Sequence, residues 1–278
     1  MTAPTHQLIA SRASAYDAIY AHWRSHRFTR ESYESNLAFF LDMDASAHGY
    51  LNGDELRFAY ELLGTDSISD KTVLDYCCGT GKSTVYLALR GARVHAFDSS
   101  RQAIAVAKES ADLSGVADRV QFAVQDAQYL PYADGSFDAV FCQSALHIVI
   151  DYPRCARELA RVLKPGGMAV FCEEALGHNP LLKPIRWYRR RKYVTCGGRA
   201  LTCQDLRRFG APFQDVCIYH FNLLAQSKTL LGGLSRHPWI KTALRRCAAW
   251  DKAMLARWPA LRRYCGKVVV AYRNPCSS

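Results

Sequence analysis

From Thr72 to Glu174 the chain alternates short runs rich in β-branched and aromatic residues with stretches of helical periodicity. TVLDY, VHAFD, VQFAV, DAVFC and MAVFCE are the short runs, and the helical stretches fall at 82–90, 101–114 and 152–163. A strand followed by a helical crossover returns parallel to its predecessor, so the expected fold is α/β, a Rossmann-like doubly wound sheet. Gly91, Gly115 and the Pro165-Gly166-Gly167 run end the three helices. Further strands are expected at VCIYHFNLL and KVVVAY, and a helix at 203–209 with Thr202 as its cap and Asp205 completing a capping box.

The first strand-to-helix turn, VLDYCCGTGKST at 73–84, sets the chemistry. Its GKST tail resembles a P-loop, but that motif needs a glycine five positions before Gly81, where this chain has Tyr76. A dinucleotide fingerprint needs a third glycine where Thr84 stands. The remaining reading has Asp75 at the carboxyl end of a strand, followed by a turn in which Gly79 and Gly81 let the backbone approach a ligand closely. That suits a cofactor made of an amino acid and a nucleoside without phosphate, and S-adenosylmethionine is one.

In such a sheet ligands bind beyond the carboxyl ends of the strands, where strand order reverses. Asp98 closes VHAFD, 19 residues after Gly79, where its carboxylate can accept both ribose hydroxyls; Ser99 follows it. Asp126, after VQFAV, is placed to accept from an adenine amino group while the N–H of Ala127 meets a ring nitrogen. Gln143 ends the fourth strand beneath the middle of the ligand, and Asp75 faces its ammonium. Upstream, residues 8–63 read as helices, with Tyr16, Tyr20 and Trp23 on one face; Tyr16 and Tyr20 are expected to close over the cofactor.

VLDYCCGTGKST, VHAFDSS, QDAQYLPYADGSFDAVFC and ELARVLKPGG, in this order, resemble the successive motifs of class I S-adenosylmethionine-dependent methyltransferases, in particular the type-11, quinone-methyltransferase-like branch. The resemblance covers residues 72–174. It implies a seven-stranded sheet with the last strand antiparallel, and cofactor contacts at Asp75, Gly79, Gly81, Asp98, Asp126, Ala127 and Gln143. EALGHNPLLKPIRWYRR also looks like a segment of a bacterial subgroup of small-molecule methyltransferases, although here RKYVTCGGRALTCQD continues it in place of that subgroup's Thr-Pro and acidic His-Pro stretch.

Methyl transfer needs a base only when the acceptor must lose a proton. His147, just before the fourth crossover helix, and His178, in GHNP after the fifth strand, are the candidate bases, with Glu173 and Glu174 at the same strand end. A metal is not expected, since Asp151 stands without the clustered carboxylates that metal-dependent catechol enzymes use. The organisation expected is an N-terminal helical cap over 1–68 and a methyltransferase domain over 69–278, with a helical lid inserted at about 227–263.

Charge is divided sharply along the chain. Residues 181–278 hold 20 Lys and Arg against three acids, a net of +17, whereas the first 180 residues carry a net of −6. Such a field points to an anionic substrate, an anionic lipid surface or a nucleic acid. In the lid, Ile240, Ala243, Leu244, Cys247, Met254 and Trp258 form an expected apolar stripe with Lys241, Arg245, Arg246 and Lys252 off it, which packs on the sheet or lies in a membrane interface. The expected partner is a small, largely apolar metabolite. Two rival readings are an RNA-binding or RNA-modifying protein using the basic third, with Trp187 and Tyr188 for stacking, and a cofactor-bound cyclase that transfers no methyl group. Eleven cysteines, odd in number and lacking a C-x-x-C pair, read as reduced thiols. With no secretory signal after Met1 and no run of about 20 apolar residues, a cytoplasmic protein is expected, with peripheral contact to a membrane its only variation.

Overall fold

Every other residue of the central strands belongs to the same hydrophobic layer, and that alternation builds two cores on one sheet. The computed structural model describes residues 14–22, 53–173, 200–224 and 238–275. Helix α1 covers residues 14–22 and α2 is Gly53–Leu63. The alternating unit then runs β1 (Thr72–Tyr76), α3 (Lys82–Leu89), β2 (Arg93–Asp98), α4 (Arg101–Leu113), β3 (Val120–Val124), β4 (Phe137–Gln143), α5 (Leu146–Val149), α6 (Pro153–Val162) and β5 (Leu163–Glu173). It closes with α7 (Cys203–Phe209), β6 (Phe213–Phe221), α8 (Pro238–Arg257) and β7 (Lys267–Pro275).

The seven strands form one sheet in the order β3-β2-β1-β4-β5-β7-β6. The first five pair in parallel, and β7 runs antiparallel between β5 and β6. Val73, Leu74 and Tyr76 of β1 are fully buried, as befits a central parallel strand covered on both faces. Leu74 and Tyr76 join Val140, Cys142, Phe171 and Tyr272 on the face covered by α5, α6 and α7. Val73 joins Phe141, Val170 and Val269 on the face covered by α2 and α3. α7 carries the expected capping box: Asp205 N–H donates to Thr202 Oγ1 at 3.1 Å and Thr202 N–H donates to Asp205 Oδ2 at 2.8 Å.

Helix α2, which the sequence groups with the N-terminal cap, packs directly on the sheet. Its Tyr60 stacks on Phe141 of β4 at 4.7 Å, Phe58 meets Tyr219 of β6 edge-on at 4.8 Å, and buried Glu55 pairs with Lys267 of β7. α1 does lie over the ligand edge, and the rest of 23–52 is outside the described residues. The apolar stripe of the lid is rotated from the one expected. Ile240 and Leu255 are buried, but Ala243 and Trp258 are exposed, as are Trp239 and Trp250. Asp251 explains the rotation: it is buried and accepts from the backbone N–H groups of Leu223 and Leu224 at 2.9 and 2.7 Å, just past β6. A carboxylate that satisfies two amides must face inward, and it fixes the turn of the helix around it.

Candidate active site

The sheet reverses its order between β1 and β4, and a cavity of about 330 Å³ lies at the carboxyl ends of β1, β2 and β4. The turn after β1 forms one wall. Cys77, Gly79 and Gly81 all have positive φ, at 58°, 54° and 78°. The turn is pinned to the end of β2 twice, by Cys78 N–H donating to the Phe97 carbonyl at 2.8 Å and by Gly79 N–H donating to Asp98 Oδ2 at 3.0 Å. The other oxygen of Asp98 accepts from Ser100 N–H at 2.9 Å. Each carboxylate oxygen keeps a lone pair for a further donor. Burial pushes the Asp98 carboxyl up from its ordinary pKa, against the backbone hydrogen bonds that hold it down.

Asp75, Gly79, Asp98, Ser99, Asp126, Ala127, Gln143, Tyr16 and Tyr20 all line this one cavity. Asp126 Oδ1 accepts from Gln128 N–H at 2.9 Å, which fixes the carboxylate. The loop that follows is held by the ELARV helix. Arg161 donates to the carbonyls of Leu130 and Tyr132 at 2.9 and 2.7 Å, and Glu158 accepts from Leu130 N–H at 3.0 Å. Thr84, the residue that spoils a dinucleotide fingerprint, is wholly buried and donates its hydroxyl to Asp75 Oδ2 at 2.5 Å. Gln143 Oε1 accepts from Ser83 Oγ at 3.0 Å, and Ser83 in turn accepts from the Tyr60 hydroxyl at 3.0 Å. Burial raises the Cys77 and Cys78 thiols, which leaves them poor nucleophiles.

Two expected site residues are not among those lining the cavity, and a third, His178, lies outside the described residues. Gly81 does not line the cavity; it caps α3, and a Cβ there would meet the Ala107 Cβ at 2.8 Å. Its role is the close packing of α3 on α4. Gly81→Ala is therefore expected to lower stability by about 1–3 kcal/mol in urea denaturation, from the left-handed backbone and the clash together. His147 sits on α5, half-buried, but is not among the residues lining the cavity, whereas its neighbours Ile148 and Val149 are. His178, Glu174, Trp187 and Tyr188 lie outside the described residues, as does the side chain of Glu173.

Sequence reasoning missed Asp17. Its Oδ1 accepts from Ser100 Oγ at 2.6 Å and from Gln102 N–H at 3.1 Å, docking α1 across the start of α4. This anchor puts Tyr20 over the turn, its hydroxyl 3.2 Å from where a Cβ on Gly79 would be. Lys82 also lines the cavity, as does Tyr152. The signal for Lys82 was its place in GKST beside the glycine turn; Asp17 gave none beyond lying between two tyrosines of one face.

Comparison with known proteins shows what the arrangement is similar to. Residues 74–171 match the family model described as a methyltransferase domain. Methyltransferase GfsG of Streptomyces halstedii is 41% identical over 109 residues, covering 39% of this chain and 38% of that protein. Demethylmenaquinone methyltransferase of Clavibacter sepedonicus is 40% identical over 116 residues, covering 42% of this chain and 46% of that protein. The chain thus spans less than half the length of either relative. Among solved structures, geranyl diphosphate C-methyltransferase from Streptomyces coelicolor A3(2), in complex with S-adenosyl-L-homocysteine, aligns with a TM-score of 0.56 at 19% identity, over 79% of this chain and 76% of that one. The likeness in shape is one of fold, and the matched segment contains the glycine turn, β2, β4 and the ELARV helix. Residues 74–171 thus match a methyltransferase domain, and the sheet that carries them shares its fold with solved methyltransferases.

Proposed function

We propose that the chain is an S-adenosylmethionine-dependent methyltransferase acting on a small, largely apolar molecule. The observation that carries this is the half-buried Asp98 carboxylate, which accepts from the Gly79 amide on the wall of a cavity that Asp75 enters from the next strand. The donor set fits the cofactor. Asp98 would accept the ribose hydroxyls, Asp126 and the Ala127 N–H would read the adenine edge, and Ser99 would stand beside the ribose. Asp75 supplies negative charge toward the amino-acid end, Gln143 lies beneath the middle, and Tyr20 covers the turn. When bound, S-adenosylmethionine supplies a methyl group on a positively charged sulfur.

What the protein adds is alignment: holding the acceptor in line with the methyl carbon and sulfur provides much of the acceleration in such displacements. The apolar wall of Ala145, Ile148, Val149 and the Tyr152 ring suits an acceptor with a hydrocarbon or aromatic body. The names of the relatives, a demethylmenaquinone methyltransferase among them, support that class. His178 and His147 remain the proposed bases for an acceptor that must be deprotonated, His147 only if α5 turns it toward the cavity.

The test is transfer of labelled methyl from S-adenosylmethionine to panels of quinols, prenylated phenols, polyketides and RNA. Label in an apolar small-molecule fraction, with S-adenosylhomocysteine formed in equal amount, is expected. Label in RNA, or conversion of an unlabelled polyene with no label transferred, would replace this reading with the RNA-modifying or cyclase reading respectively.

A further inference from the structure

The most solvent-exposed large apolar side chains of the described residues are the tryptophans of one segment. Trp239 and Trp250 of α8 are 69% and 65% exposed, and Trp258 just past it is 53% exposed. Positions 239 and 250 are eleven residues apart. That is close to three full turns, so the two rings stand on one line along the helix, about 16 Å apart. Ala243, Arg246, Ala253 and Arg257 share this face, and all four are exposed. The small alanines leave the line shallow between its bulky ends.

The charge on this segment has one sign. Arg246, Lys252, Arg257, Arg262 and Arg263 are exposed, whereas the single acid between Pro238 and Tyr264 is the buried Asp251. Pairing of this face with the same face of a second copy would bring the arginines together, which disfavours self-association there. An anionic bilayer complements every feature: tryptophan rings settle at headgroup level, and arginines meet lipid phosphates. No helix among the described residues is long and apolar enough to cross a membrane, so contact here is lateral.

We propose that the Trp239–Trp250 face of α8 is a docking surface for an anionic lipid bilayer. Its place in the fold gives the contact a use. β6 is parallel to β1–β5, since each is antiparallel to β7 or parallel to a strand that is. Asp251 ties α8 to residues 223–224, just past the carboxyl end of β6. The helix therefore sits at the same rim of the sheet as the cavity, three strand spacings or about 14 Å beyond β4. If the methyl acceptor is apolar, as proposed above, a docked protein would face its supply; the docking itself does not depend on that reading.

Sedimentation of the full chain with vesicles tests it. Binding to phosphatidylcholine vesicles containing phosphatidylglycerol is expected at low salt, weak at high salt and absent with phosphatidylcholine alone. Trp239→Ala/Trp250→Ala and Arg246→Glu/Arg257→Glu should each weaken it about tenfold or more. Thermal melts and calorimetric affinity for S-adenosylhomocysteine should remain as in the unmodified chain, which separates loss of docking from misfolding and from failure of the cofactor site. Three results would overturn the proposal: no binding to the anionic vesicles, unchanged binding by either double variant, or a concentration-dependent dimer that the tryptophan variant abolishes. The last would assign the face to a second copy instead.

Discussion

Asp98→Ala is expected to weaken binding of S-adenosylmethionine and of S-adenosylhomocysteine by at least about 100-fold. A hydrogen bond to a charged acceptor contributes about 1.5–3 kcal/mol, and this carboxylate would take two from the ribose. Its loss also frees the Gly79 and Ser100 amides, now 3.0 and 2.9 Å from its oxygens, so the turn that lets the backbone approach the ligand loses one of its two ties to β2 and keeps only the Cys78–Phe97 backbone bond. The folded state should survive, because the variant also removes a carboxylate that burial disfavours. Isothermal calorimetry on material with an unchanged far-ultraviolet spectrum checks the result. An affinity within a few-fold of the unmodified chain would mean that the cavity does not hold this cofactor in the orientation proposed, and the functional reading would fall with it.

The strands were legible because burial on both faces writes near-continuous apolar runs, and because glycine and proline punctuate them locally. The α7 capping box was legible for the same reason: Thr202 and Asp205 are three residues apart, so the whole device is visible in a short window. What escaped was set by distant partners. Asp17 reaches Ser100 across 83 positions, and nothing near it in the chain announces that contact. The rotation of α8 depends on which amides Asp251 must satisfy, and these belong to Leu223 and Leu224. The shift to β-rich composition at Thr72 marked where strands begin, not where the core begins, since Tyr60 already lies against Phe141. Thr84 had a double meaning: its bulk excluded one nucleotide motif, but its hydroxyl partner on Asp75 appears only in three dimensions.

That pairing leads to the second large effect, a dependence on pH. Burial pushes the Asp75 carboxyl up from 3.8 to about 7, with the Thr84 hydrogen bond opposing the rise and the nearby Asp98 charge adding to it. Below pH 3.8 the group is protonated in both the folded and the unfolded chain and contributes nothing to the difference between them. Between 3.8 and about 7 the unfolded chain has released the proton that the folded chain retains, so stability falls as pH rises, by up to about 1.4 kcal/mol per unit. The full swing is on the order of 4 kcal/mol, and the loss levels off above about pH 7. Asp75→Asn keeps an acceptor for Thr84 and has no charge to bury, so its urea midpoint should lack this fall and exceed that of the unmodified chain at pH 8. Cofactor binding should respond in the opposite direction. A ligand of net positive charge favours ionised Asp75, so its affinity is expected to rise by up to about tenfold per pH unit on approaching pH 7, with release of a proton. In Asp75→Asn that slope should shrink to what Asp98 alone supplies. Calorimetry in two buffers of different ionisation enthalpy reads the proton directly: if none is released near pH 6, or if the variant releases as many, Asp75 does not sense the cofactor's charge.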